Sequence, residues 1–198
     1  MSTKYKNIKN KKISIIGVSR KLGVTHMCLC LANFLSSALK KQVLYIEVSE
    51  SSQLLGLVGA TSILLHGITC FKHKGVTYAL ACNYDQAQML ISGFDGYVIV
   101  DLPNYCESTP SIFNQCDVNL VIGSTKPWCI RDLYLFLNTM KGAYDDRDKL
   151  RFFNQSQDKN DAKIFKNNYK YNMSLLPIIN NPFSLKEEHF DALAQMIE

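Results

Sequence analysis

The chain has 198 residues, 47% of them hydrophobic and 20% charged, with a formal net charge of +5 at pH 7. That size and balance predict one globular domain with a sizeable core, and no apolar run approaches the ~20 residues that would span a membrane. Lys4, Lys6, Lys9, Lys11 and Lys12 sit in a first stretch without an acid, which leaves seventeen basic and seventeen acidic residues behind it. The positive balance therefore belongs to a tail and argues against a nucleic-acid face.

Residues 1–11 read as a basic, solvated tail, and 12–198 as one domain. The tail leads into a short strand-like run and not into a secretory apolar region, which predicts a cytoplasmic location. "KISIIGV" (12–18) predicts a buried strand. Residues 24–40 predict a helix, with Met27, Leu31, Phe34, Leu35 and Ala38 at helical spacing as its core stripe. "QVLYIEV" (42–48) is the next strand, and 51–66 read as helix or irregular. "ITCFKHKGVTYAL" (68–80) predicts a hairpin turning at Lys74-Gly75. Residues 85–93 read as a helix and "YVIVDL" (97–102) as a central, all-apolar strand.

"VNLVIGS" (118–124) predicts another strand, after which Pro127 in the first helical position opens a helix to about Met140. The polar stretch 141–172 holds one strand, "KLRFFN", and a short helix near 159–168. "MSLLPII" (173–179) predicts the last strand and 184–197 a closing amphipathic helix. Apolar runs alternating with helix-period segments predict an α/β fold, a mostly parallel sheet of about seven strands with helices on both faces. The seven cysteines are scattered, odd in number and without a C-x-x-C pair, which suits free thiols in a reducing compartment.

The chemistry concentrates after the first strand, in "GVSRKLGVTH" (17–26). Gly17 and Gly23 are six apart, and Thr25 stands two after Gly23. A phosphate loop needs glycines so that backbone N–H groups can approach the phosphates, and a helix N-terminus for partial positive charge. It also needs a Ser/Thr hydroxyl for Mg²⁺ and a lysine for the terminal phosphates. Here Val24 fills the lysine's place. Two acids end later strands: Glu47 in "VLYIEVSES" (43–51) and Asp101 in "GYVIVDLP" (96–103).

With these segments the sequence resembles the ParA/MinD group of deviant P-loop ATPases, of the SIMIBI class, whose loop reads K-G-G-x-G-K-[ST]-[ST]. Gly23-Val24-Thr25-His26 falls on G-K-T-T, the family's signature lysine falls on Ser19, and its two glycines fall on Arg20 and Lys21. Both family lysines are thus absent. The strand ending at Glu47 resembles the family's V-L-L-I-D-x-D, and that ending at Asp101 resembles its Walker B strand. Asn154, in "RFFNQ" (151–155), falls at the asparagine that contacts adenine, and "LLPII" (175–179) resembles the strand that follows.

The resemblance covers nearly the whole chain and implies a P-loop NTPase-like fold and a nucleotide-binding switch or localisation protein. It implies ATP or ADP with Mg²⁺, weakly held, with Thr25, Asp101 and Glu47 at the metal. Gly17, Ser19, Arg20, Lys21, Gly23, Val24, Thr25, His26 and Asn154 would lie around the nucleotide. The lost lysine is similar to the TadZ/CpaE-like branch, whose loops are often degenerate. It implies slow or absent hydrolysis, a homodimer, and a protein partner from a secretion, pilus or division system. The alternative is a nucleotide-free pseudo-ATPase scaffold. Individual residues keep bland alternatives: Thr25 as a helix cap, Asn154 as a turn cap, Arg20 and Lys21 as solvated charges, and His26 on the helix surface.

Overall fold

The computed structural model describes residues 10–52, 54–59, 61–144, 146–156, 163, 165–167 and 169–198. Lys4, Lys6 and Lys9 of the tail, and most of the short helix expected over 159–168, lie outside the described residues.

The first strand, β1 (Lys12–Gly17), leads through a six-residue loop to α1 (Val24–Asn33), whose last turns widen into a π-helix over Phe34–Ala38. β2 (Val43–Val48) follows. Then come β3 (Ser62–Leu65), β4 (Ile68–His73) and β5 (Val76–Cys82). The 68–80 hairpin turns at Lys74 and Gly75, both left-handed, with His73 paired to Val76. A second hairpin turns at His66 and Gly67 in the same conformation, so part of the segment read as helix or irregular (51–66) is the strand β3. Its signal was the Leu-His-Gly-Ile run, which repeats the pattern of His-Lys-Gly-Val.

After α2 (Tyr84–Gly93) come β6 (Tyr97–Leu102), α3 (Thr109–Gln115), β7 (Val118–Gly123) and α4 (Ile130–Met140). The chain ends with β8 (Leu150–Asn154), β9 (Met173–Leu175) and α5 (Phe190–Ile197). The closing helix, expected over 184–197, opens only at Phe190 after a 3-10 turn over Glu187–His189, and two other boundaries differ for local reasons. Pro127 sits in a turn closed by the Cys129 N–H on the Lys126 carbonyl, so α4 opens three residues after the proline. β9 stops at Leu175 because its neighbour β8 ends opposite it at Asn154, whose carbonyl takes the Leu176 N–H as the last bond. The short helix α3, opened by Ser108-Thr109-Pro110, was not expected from the sequence.

Among the described residues nine strands form one sheet, in the order β3-β4-β5-β2-β6-β1-β7-β8-β9. From β5 to β9 every pair is parallel, and only the β3-β4 and β4-β5 pairs are antiparallel. The central strands are buried along their whole length, as a parallel sheet covered on both sides requires. Residues alternate between two cores. One face packs Ile13, Ile15, Tyr45, Ile99 and Leu120 under α1 and α5, and the other packs Ile16, Ile46, Val100 and Val121 under α2, α3 and α4. β1 lies between β6 and β7, so the loop leaving β1 emerges at the carboxyl edge where doubly wound sheets bind ligands.

Candidate functional site

The loop after β1 is shaped by two glycines. A Cβ on Gly17 would lie 2.8 Å from the Ser19 carbonyl oxygen, so only glycine lets the chain fold back so tightly there. Gly23 has φ +88° and forms the N-cap of α1, with no side chain capping the helix end. Lys21, two residues earlier, is also left-handed. The loop thus delivers an uncapped helix N-terminus, with its partial positive charge, to the carboxyl edge of the sheet. Arg20 and Lys21 are exposed on the outside of the loop, and Ser19 is half-buried. Val24 turns inward: its Cγ2 lies 3.0 Å from the place of a Gly17 Cβ, and it packs against the core beneath α1. The lysine position therefore holds a methyl group against the loop's own floor.

Three oxygen-bearing side chains meet at the first turn of α1: Thr25, exposed on the turn itself, and Asp101 and Glu47 at the ends of two neighbouring strands. Asp101, at the end of β6, is 5% exposed. Its carboxylate accepts from the Tyr45 hydroxyl at 2.6 Å, and the Thr25 hydroxyl lies near enough to draw its pKa down. Glu47 pairs in register with Asp101 on the neighbouring strand and is 8% exposed. A bulge in the β2-β5 pairing at Glu47 lets its Oε2 accept from the Ala81 N–H at 3.4 Å, and Ala81 is left-handed.

Burial pushes the Asp101 carboxyl above its ordinary value. The Tyr45 and Thr25 hydroxyls pull it back, and the Glu47 carboxylate beside it pushes it further up. Two acids and a hydroxyl are hard oxygen donors of the kind Mg²⁺ takes, usually through one or two carboxylates with water and phosphate completing the shell. The donor set fits that ion. The ion would supply charge neutralisation at the phosphates, while Thr25 and Asp101 would hold it under the loop.

The remaining expected residues lie in two places. His26 Nε2 meets the Ile179 carbonyl oxygen at 2.6 Å, tying the first turn of α1 to the segment after β9. Asn154 is fully buried. Its Oδ1 accepts from the Thr125 and Ser156 N–H groups, and its Nδ2 donates to the Thr125 hydroxyl at 2.7 Å. It clamps the loop after β7 to the end of β8, and little of its capacity is left for a base. So Gly17, Gly23, Val24, Thr25, Asp101 and Glu47 are brought to one place, Ser19, Arg20 and Lys21 rim it, and Asn154 serves the scaffold.

Two residues at this edge were missed from the sequence. Tyr45 stands in a strand of otherwise aliphatic residues, two before Glu47, and that spacing put its hydroxyl on the acids' side of the sheet. Trp128, in the turn after β7, is 77% exposed with the Lys126 ammonium 5.9 Å from its ring centroid. Leu55 and Leu57, in the connection after β2, are exposed too.

No protein-family model matches the chain, and no curated protein matches its sequence. Solved structures match its fold. The ParA family ATPase from Chlorobium tepidum superposes with a TM-score of 0.67 at 12% identity, over 86% of this chain and 85% of that one. A chain of the MinC:MinD cell division protein complex of Aquifex aeolicus gives 0.66 at 15% identity, over 94% and 93%. A plasmid partition protein from Borrelia burgdorferi, bound to AMPPNP, gives 0.63 at 12% identity, over 96% and 97%. The chain has the P-loop NTPase fold of the ParA/MinD ATPases.

Proposed function

We propose that this chain is a ParA/MinD-like nucleotide-binding switch or localisation protein with a degenerate phosphate loop, binding ATP or ADP with Mg²⁺ weakly and hydrolysing ATP slowly or not at all. The observation that carries the reading is the convergence of Thr25 and Asp101 under the uncapped start of α1, with Glu47 beside them. Nothing in the packing of a sheet requires a buried carboxylate there, and its burial disfavours the charged form. Backbone N–H groups, the helix end and a magnesium ion supply attraction without the lysine. Phosphoryl transfer depends more steeply on charge at the transferring group, so turnover suffers more than binding.

The exposed Trp128, Leu55 and Leu57 at the carboxyl edge support a protein partner on this face, a component of a secretion, pilus or division system that a ParA/MinD-like switch would position. The basic rim of Arg20 and Lys21 supports a homodimer that forms across bound nucleotide. The setting for both is the cytoplasm.

A specific observation favours a second reading. Val24 lies against Gly17, and Asp101 already accepts a hydrogen bond from the Tyr45 hydroxyl. Both suit a nucleotide-free scaffold. A thermal-shift titration with ATP, ADP and Mg²⁺ separates the two. The switch reading expects a saturable, magnesium-dependent rise in Tm. A flat response up to millimolar nucleotide would leave the scaffold reading standing.

A further inference from the structure

A cavity of about 450 Å³ lies between α5 and the last two strands of the sheet, with no residue of the 17–26 loop in its described lining. It opens along β8 and the chain from Lys170 to Pro177, and reaches Asp148 at the amino end of β8. Small-molecule sites typically span roughly 300–1,000 Å³, with apolar walls and a few polar groups. Here Phe153, Tyr171 and Met196 are among the apolar walls, and Asn172, Ser174 and Gln195 supply polar groups.

Arg151 is the chemically distinctive member. It alternates with Leu150 and Phe152 along β8 and shares the α5 face with Phe153. Its Nε is buried and has no hydrogen-bond partner among the described residues. An unsatisfied donor on a permanent cation is uncommon in a folded interior and calls for an acceptor. Lys11 is pushed down in pKa by its own burial first and by the Arg151 charge second, with Asp117 and Glu198 opposing, and Lys170 lines the cavity in a left-handed backbone conformation. Among the described lining residues Asp148 is the acid.

We propose that this cavity binds a small organic anion, a carboxylate or phosphate carried on an apolar body, with the Arg151 guanidinium as its anchor. The planar fork of a guanidinium pairs with either group through two parallel N–H donors. The buried Nε gains its acceptor, the Arg151-Lys11 repulsion is offset, and the body of the ligand lies against Phe153, Tyr171 and Met196. The site is independent of the nucleotide reading and stands or falls without it.

The test uses the full chain, with benzoate and phenyl phosphate as probes in calorimetric and NMR titrations. At least one probe should bind saturably and compete with the other, and the tighter of the two identifies the anionic group. Arg151→Gln should weaken binding at least tenfold with the unfolding midpoint retained. Gln195→Trp, which fills the cavity from the exposed side of α5, should do the same and carries the test if Arg151→Gln fails to fold. Mg-ATP should not displace the probe. No saturable binding of either anion, unchanged affinity in folded Arg151→Gln, or displacement by Mg-ATP would each overturn the proposal.

Discussion

The Tyr45 hydroxyl and the Asp101 carboxylate meet across neighbouring parallel strands at 2.6 Å, both buried beneath α1. The bond joins a group that burial pushes strongly up in pKa to one that burial also pushes up. The tyrosine therefore stays protonated and donates, and the donation favours the charged carboxylate. Tyr45→Phe removes that donor and leaves the ring packing against Tyr78 in place. A hydrogen bond to a charged group contributes about 1.5–3 kcal/mol, so urea unfolding at neutral pH should show a loss of that order. An unchanged midpoint would mean that water or Thr25 compensates fully.

Asp101→Asn should act in the opposite direction on stability. The folded-state carboxyl titrates above its unfolded value, so ionisation favours the unfolded chain. Below the ordinary value of 3.8 the group is protonated in both states and makes no difference. As pH rises through and above that value the native protein loses stability relative to the variant, until the folded carboxyl is itself ionised. In magnesium-free protein the variant should thus be more stable at pH 7 by about 0.5–2 kcal/mol, with the gap closing in acid. Unfolding curves of both proteins from pH 3 to 7 measure it, and a gap that widens in acid would contradict the sign.

Val24→Lys should raise ATP affinity by roughly one to two decades, the equivalent of about 1.5–3 kcal/mol for a charged hydrogen bond. The loop already has its left-handed turn and its open helix end, so the ammonium enters a formed frame. Calorimetry of the variant against the parent decides it. Equal or weaker binding by a folded variant would show that the frame is closed to phosphate.

Association should depend on nucleotide. Arg20 and Lys21 are exposed around the loop, and two such faces repel when nothing anionic lies between them. Light scattering should report mainly monomer without ligand and dimer with Mg-ATP, and Arg20→Ala should weaken that shift. A dimer that forms alike with and without nucleotide, and in the variant, would mark a constitutive interface.

Thiol chemistry offers a check on burial. Cys30, Cys82 and Cys116 are pushed up to about 12 by burial, and Cys28, wholly enclosed, rises as well. Burial also pushes up the exposed Cys106, but the Tyr84 and Thr109 hydroxyls and the Ser108 and Thr109 N–H groups outweigh it and bring the thiol below its ordinary value. Mass-spectrometric mapping of brief iodoacetamide treatment at pH 7.5 should find Cys106 alkylated at least about tenfold faster than those four. Labelling of Cys28 or Cys116 at a comparable rate would require the sheet to open.

Much of the architecture could be read from local pattern. The strands at 12–17, 43–48, 97–102 and 118–123 are apolar runs buried on both faces, and nothing competes with that reading. β3 was hidden because Ser62–Leu65 is a short edge strand whose apolar run is only three residues long and half exposed, too short to tell strand from helix. At the site, spacing pointed to Gly17, Gly23 and Thr25, while Asp101 and Glu47 stood out through the resemblance and as acids ending apolar strands. What spacing could not convey was orientation. Asn154 reads equally well as a base contact or a clamp until Thr125 is seen beside it, and Tyr45 reads as core until its hydroxyl is traced to Asp101.

The His26-Ile179 bond gives the loop a mechanical neighbour. A carbonyl oxygen only accepts, so the imidazole must carry its hydrogen on Nε2 to make it. The same chain segment runs on through Phe183 and Leu185, packed under α1, into α5. Any displacement of the first turn of α1 therefore pulls on a lever that ends in the last helix of the sheet's flank. Hydrogen exchange of amides near Ile179 and along α5 would register an event at the loop, carried through the His26 side chain.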